Sequence, residues 1–256
     1  MKTKSLLFIL VIIFTAFSCN KKKIKENLNI FPEEINKNKK ISEKMEKNEK
    51  KLSLLQEYNE NNSMIEFVKT KYTKNLTINR YKYKSSLYAF SEFSMSKDNN
   101  YSSFKKSEYA YQLGNDVVLL SKNYIYKISL AICDLDKLDI KPTTDIKIPK
   151  DKLDSTINSE KLFINEDEVF PFFHSYIKRD IQYKNIIIST IEQFKLDKTT
   201  IKKLEDFIKK QSIIEDTDKY IIFKIEDNES LYLWQKKKNI LFLNFSETDL
   251  EKIKEI

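Results

Sequence analysis

Hydrophobic positions change period several times along this chain, and those changes divide it. Ile41, Met45, Leu52 and Leu55 fall on one helical stripe, interrupted at Asn48, which predicts a helix over 42–58. Ser63-Met64-Ile65-Glu66 has the form of a capping box. Met64, Phe67, Val68 and Tyr72 continue at helical spacing behind it, so helical structure is expected to run to residue 73. From Leu76 the period drops to two: Ile78 lies between Thr77 and Asn79, and Tyr81 and Tyr83 alternate with Lys82 and Lys84. Leu87–Met95, Tyr109–Leu113, Val117–Leu120 and Tyr124–Cys133 read as further strands. Turns at Lys97–Asn100 and Gly114–Asp116 are short enough for antiparallel hairpins.

The stretch 134–161 is polar, carries Pro142 and Pro149, and reads as a long surface excursion that could subdivide the body. Helical spacing returns with Phe173, Tyr176, Ile177 and Ile181, and Pro171 sets the start of that helix near Glu168–Phe170. Ile186–Phe194 fits helix or strand. Ile201, Leu204, Phe207 and Ile208 predict a helix over 199–212. Tyr220–Ile225 and Ser230–Trp234 flank Asp227-Asn228, a two-residue hairpin turn, and Ile240–Phe245 follows as a strand. Ser246-Glu247-Thr248-Asp249 opens a last helix bearing Leu250 and Ile253. No internal repeat of fixed period is visible. The expected fold is α+β: antiparallel sheet, in one piece or two, covered by helices at 42–73 and 168–212, with an N-terminal helical segment. It forms one domain over 41–256.

Composition removes several function classes. Gly114 is the only glycine, which excludes a Gly-rich phosphate loop, a dinucleotide fingerprint and a Gly-x-Ser-x-Gly elbow. His174 is the only histidine, so His-rich metal sites are excluded and no cofactor is implied. The 14 Tyr and 17 Phe favour sheet. Arginine occurs only at Arg80 and Arg179, the other basic residues being lysine. The net charge of +8 suggests nucleic acid until it is partitioned. Residues 20–40 hold seven Lys and three Glu, and the chain from 41 onward carries a net charge of only +2. Phosphate binding needs basic residues on the folded body, so nucleic acid is not an expected partner.

The N-terminus carries the most specific signal. Lys2 and Lys4 precede an apolar run from Leu6 to Phe14, too short for a comfortable membrane span, and Ala16-Phe17-Ser18-Cys19 follows. This arrangement resembles the signal peptide of bacterial lipoproteins, whose lipobox reads Leu, small, small, Cys. Ser18 and Cys19 match that pattern; Ala16 and Phe17 depart from it. An uncleaved anchor helix, or a secretory signal with an incidental cysteine, has the same apolar run. The resemblance implies a signal peptide over 1–18, lipidation at Cys19 with fatty acyl chains of the palmitate kind, and a flexible tether over 19–40. Asn20, in place of the Asp that retains such proteins in the inner membrane, implies the outer membrane. Lys21–Lys23, in place of acidic export signals, imply a domain facing the periplasm rather than the cell surface. With Cys19 acylated, Cys133 is left alone and the mature chain has no intrachain disulfide.

Other candidate chemistry is weaker. A Cys133–His174 dyad would need the two to meet in space, and the Phe172, Phe173 and Tyr176 neighbourhood of His174 fits a packed structural histidine better. Asp134-Leu135-Asp136-Lys137-Leu138-Asp139 has calcium-like spacing but lacks the loop Gly and the closing Glu. Glu166-Asp167-Glu168 fits an acidic helix start. Tyr81, Tyr83, Tyr109 and Tyr111 are the ligand-binding candidates, since Tyr on a sheet face offers apolar area with a polar tip; a sheet face covered by helices gives the same pattern. The expected function is a lipid-anchored envelope protein with a non-enzymatic binding or assembly role toward a protein or another envelope component. The rivals are a carboxylate-based hydrolase of an envelope polymer and a small-ligand carrier.

Overall fold

The structure is a computed structural model. It describes residues 30–255 apart from 36, 56–62, 98–100, 105–106, 130–137, 139, 151–152, 154–155, 165–166, 195–196 and 226–229. Cys19 and its leader, Cys133, all of the 134–139 acidic run but Leu138, Glu166 and the Asp227-Asn228 turn lie outside the described residues.

The chain is mostly β, which corrects the expected helix-covered α+β fold. The first sheet takes β1 (Glu34–Ile35), β2 (Asn38–Glu46), β3 (Met64–Tyr72), β4 (Thr77–Tyr83), β5 (Ser102–Phe104), β6 (Ser107–Leu113), β7 (Asp116–Ser121) and β8 (Tyr124–Ser129), in the order β1-β2-β3-β4-β8-β7-β6-β5. The second takes β9 (Thr156–Phe163), β10 (Tyr176–Tyr183), β11 (Ile186–Gln193), β12 (Ser212–Asp216), β13 (Tyr220–Lys224), β14 (Leu231–Gln235) and β15 (Ile240–Phe245), in the order β12-β13-β14-β15-β11-β10-β9. Every strand pair is antiparallel. Among the described residues four short α-helices accompany them: α1 (Glu49–Ser53), α2 (Ser86–Met95), α3 (Lys198–Ile208) and α4 (Leu250–Lys254). Among the described residues no helix is long and apolar enough to cross a membrane.

The two sheets are built to one plan. Leaving aside the two-residue β1 at the edge of the first sheet, in each a three-strand meander leads into a helix, a four-strand meander follows, and its last strand returns to pair with the third strand: β4 with β8, and β11 with β15. The left-handed turn residues correspond as well. Lys74 and Asn75 sit between the second and third strands of one unit and Lys184 between those of the other. Lys122 and Asn239 occupy the last hairpin of each. The repeat is a matter of topology rather than of residues, and a search for a fixed sequence period does not meet it.

Three expected elements take another form, each for a physical reason. The stripe proposed over 42–58 does not exist as a buried face: Ile41 is 66% exposed, and Leu52 is the one member that is fully buried. Asn48, read as a break, instead N-caps α1, its side-chain oxygen accepting from Lys51 N at 3.3 Å. Met64, Val68 and Tyr72 are spaced by four, a spacing that fits a strand as well as a helix. Pairing of β3 with both β2 and β4, with Val68, Thr70 and Tyr72 buried on one face, settles it as strand. The helix expected around Phe173–Ile181 is the strand β10, hydrogen-bonded on both sides by β9 and β11 and buried on both faces. Ile186–Phe194, open between the two readings, supplies β11.

The reverse error concerns α2, expected as a strand. Ser85 caps it, its hydroxyl accepting from Tyr88 N, and every residue from Ala89 to Met95 is buried. A helix apolar on one side only would betray a 3.6 period; this one has no solvent side, because it lies between the two sheets. Ala89, Phe90 and Phe93 pack with Tyr83, Val118, Leu120 and Ile125 of the first sheet and with Leu162 and Ile177 of the second. Two serines fix the second contact: Ser91 Oγ donates to Leu162 O at 2.7 Å, and Ser94 Oγ accepts from Leu162 N at 2.9 Å. They satisfy backbone groups on the free edge of β9 that would otherwise be buried without a partner.

The outer layers are thinner. Ile30, Phe31, Ile35, Leu138 and Ile140 cover the far face of the first sheet. Tyr72 Oη donates to Pro32 O at 2.9 Å and Lys40 Nζ to Phe31 O at 2.5 Å, so the packed body begins by Ile30 rather than at 41. On the second sheet, α3 buries Leu204 and Ile208 against Ile191, Phe223 and Trp234 and leaves Lys202, Lys203 and Asp206 in solvent. This helix, with one wet face, is where the sequence predicts it. The C-terminal α4 seats Ile253 among Ile181, Ile188 and Ile222.

Candidate functional site

Where α2 ends, the two sheets diverge and leave a cleft of about 750 Å³. One wall is the end of α2 with Lys97 and Tyr101 just beyond it; Glu108 and Tyr109 of β6 continue that wall. The opposite wall is β9 from Ile157 to Lys161, and the third is the strap Thr144–Lys150.

The strap belongs to the stretch expected to be a surface excursion. It is instead tied into both sheets. Thr143 N donates to Leu120 O at 2.9 Å and Lys122 N to Thr143 O at 2.8 Å, a short parallel bridge to β7. Ile146 and Ile148 pack against the core around α2. At the far end Arg179 Nη2 donates to Pro149 O at 2.6 Å, while Nε donates to Glu160 at 2.7 Å and Nη1 to Glu192 at 2.9 Å. The Arg179 side chain is only 3% exposed. The other arginine plays a similar part in the first sheet, where Arg80 donates to Glu66 at 2.6 Å. The two arginines of this lysine-rich chain stand where a guanidinium is held against carboxylate in poorly hydrated surroundings, which a planar fork suits better than an ammonium.

Among the described residues that line the cleft, the charges do not balance. Lys97, Lys147, Lys150 and Lys161 line it against Glu108 and Glu160, and Glu160 is already engaged by Arg179. Lys147 and Lys150 are exposed at the mouth; Lys97 lies deeper. Its ammonium donates to Glu108 O at 3.0 Å and sits 4.9 Å from the Phe93 ring centre and 5.6 Å from that of Tyr101. Burial pulls the Lys97 pKa below the usual lysine value, against the opposing pull of Glu108 and Glu160. Tyr109 is pushed the other way, chiefly by its hydrogen bond with Glu108 and then by burial.

All four tyrosines singled out from the sequence lie on the α2 side of the first sheet, and the helix covers that side. Tyr83 and Tyr111 are fully buried, at 2% and 1% exposure; Tyr81 and Tyr109 are half-buried. Tyr81, Tyr83 and Tyr111 surround a second, much smaller cavity of about 90 Å³ under the Glu92 side of α2. Tyr111 Oη and Ser96 Oγ share a hydrogen bond of 2.6 Å there. Tyr109 alone of the four reaches the large cleft. His174, expected to be packed, is exposed, while its neighbours Phe173 and Tyr176 are buried. Asp167 caps a turn, accepting from Val169 N and Phe170 N, rather than opening a helix. Among the described residues no three His, Cys, Asp or Glu side chains group as metal ligands.

Lys97, Tyr101, the strap and the β9 wall carry no motif, and sequence reasoning missed them. A carboxylate pair for acid–base work in this cleft would have to be Glu108 and Glu160, and Arg179 already holds Glu160. Comparison with protein-family models, with curated proteins and with solved structures found no match for this chain.

Proposed function

We propose that this chain is a bacterial envelope lipoprotein, anchored by lipid on Cys19 in the outer membrane and facing the periplasm, that works by binding a ligand and not by catalysis. The observation that carries the binding part is the cleft between the sheets, whose volume of about 750 Å³ falls within the usual range of small-molecule sites. Apolar side chains (Phe90, Phe93, Tyr101, Ile146, Ile148 and Ile157) provide contact area, and a few charged groups orient a ligand. A three-walled site braced by Arg179 is preorganised, which lowers the entropy lost on binding.

The binding part is tested with the fluorescent neutral apolar probe N-phenylnaphthylamine. The wild type should enhance its emission saturably, and Tyr101→Ala with Ile157→Ala should weaken binding several-fold at an unchanged unfolding midpoint. Equal binding by the variant refutes the cleft as the site. The anchor is tested separately: Cys19→Ser should shift the protein from the membrane to the soluble fraction and remove the mass of the acyl chains. An unchanged mass and membrane association would sink the lipoprotein reading.

A further inference from the structure

Resting on the cleft as the binding site, we infer that its ligand is an anionic amphiphile: one acidic head, carboxylate, phosphate or sulfonate, on an apolar body. The charge distribution points this way. Among the described residues of the lining four lysines face two glutamates, and Glu160 is committed to Arg179, so these residues present unbalanced positive charge to whatever enters. Lys147 and Lys150 at the mouth enter no ion pair among the described residues and attract an anion from solution. Lys97 then meets it inside. Its hydrogen bond to the Glu108 backbone oxygen and its place over the Phe93 and Tyr101 rings fix the ammonium. An ammonium has three donors, and the Glu108 backbone oxygen takes one, leaving donors for an acidic head. An ammonium withdrawn from water gains more from an anion than an exposed one does, since the anion replaces lost hydration. Phe90, Ile146, Ile148 and Ile157 add apolar surface to the lining, alongside the uncharged polar side chains of Ser94, Thr144, Asn158 and Ser159. A small hydrophilic anion would leave that surface wet, and a neutral apolar molecule would leave Lys97 uncompensated.

The test compares two probes with the same aryl amine body, anilinonaphthalenesulfonate with an acidic group and N-phenylnaphthylamine without one. Four proteins are titrated: wild type, Lys97→Met, Lys97→Arg and the Tyr101→Ala/Ile157→Ala pair, each first shown to unfold cooperatively. Loss of a charged hydrogen bond implies that Lys97→Met weakens the sulfonate probe about tenfold or more. It should change the neutral probe less than about twofold, and Lys97→Arg should restore most of the loss. If Lys97→Met weakens neither probe while the Tyr101/Ile157 pair weakens both, the anionic ligand class is wrong and the cleft stands. If the Tyr101/Ile157 pair weakens neither, the cleft itself is wrong and the ligand class falls with it.

Discussion

Replacing Arg179 by methionine keeps the aliphatic stem and removes the guanidinium, and with it three hydrogen bonds to Glu160, Glu192 and Pro149. The consequences differ by partner. The Glu160 side chain is 29% exposed and water can take over its solvation; that of Glu192, at 6%, cannot be reached so easily. A buried carboxylate deprived of its cation makes up most of the cost, and breaking such a pair destabilises by about 3–5 kcal/mol. With a urea slope of about 1–3 kcal/mol per molar, the midpoint should fall by at least about 1 M, which equilibrium denaturation followed by tryptophan emission will read. Trp234, the single tryptophan, is buried in the second sheet against α3 and reports that unit. A triple variant, Arg179→Met with Glu160→Gln and Glu192→Gln, should recover most of the loss, because it removes the stranded charge along with the bond. Hydrogen exchange should accelerate in the strap around Pro149 in both variants. A single variant within about 0.5 kcal/mol of wild type would show that Glu192 is not held by Arg179 in the way described.

Ser91→Ala and Ser94→Ala should each cost about 1–3 kcal/mol, since each strands one backbone group of Leu162 against α2; alanine at Ser96, whose hydroxyl meets Tyr111 at a partly buried position, should cost less. Thermal or urea midpoints of the three variants decide this. Lys97 also makes stability depend on pH. Its folded pKa lies below the unfolded value of about 10.5, so between the two the unfolded chain binds more protons and stability rises with pH. Glu108 and Glu160 face it with negative charge, Lys147, Lys150 and Lys161 with positive charge, and Tyr109, whose pKa is raised, opposes the trend above about pH 10. The difference between wild type and Lys97→Met in urea titrations from pH 7 to 10 isolates the lysine. A flat difference would show that Lys97 is not desolvated.

What could be read from the sequence depended on whether an element keeps a wet face or is a short apolar run closed off by turn residues. The helix α3 is legible because polar and apolar positions keep a period along it, and Asp197 at its head is a cap by residue type alone, accepting from Thr200 N at 2.7 Å; the strands β13 to β15, buried on both faces, are legible instead as short apolar runs bounded by turn residues. The helix α2 and the strand β10 are covered on both sides, so their periodicity is erased and each was assigned to the other class. Spacing by four at Met64, Val68 and Tyr72 fits either class, and only the neighbours β2 and β4 decide. The candidate site was legible in part. That Tyr81, Tyr83, Tyr109 and Tyr111 share a face follows from their alternation; that α2 lies over this face does not. The cleft draws Lys97, Tyr109, Pro149 and Glu160 from four separate elements, and no spacing rule connects them.

The position of α2 between the sheets also has a consequence in time. A chain made from its N-terminus completes the first sheet and α2 well before β9, β10 and Phe194, the second wall of that helix, have emerged. From Ser129, where that sheet ends, to Phe194 is 65 residues, which at synthesis rates of about 5–20 residues per second leaves an interval on the order of 3–13 s. During it Phe90 and Phe93 have only one of their two partners. The first unit is therefore a half-finished surface for that interval, prone to sticking to other chains, and a holding factor that covers apolar segments would act on this protein most usefully there. The second unit has no such interval, since its own helix, α3, ends in a charged face that waits for nothing.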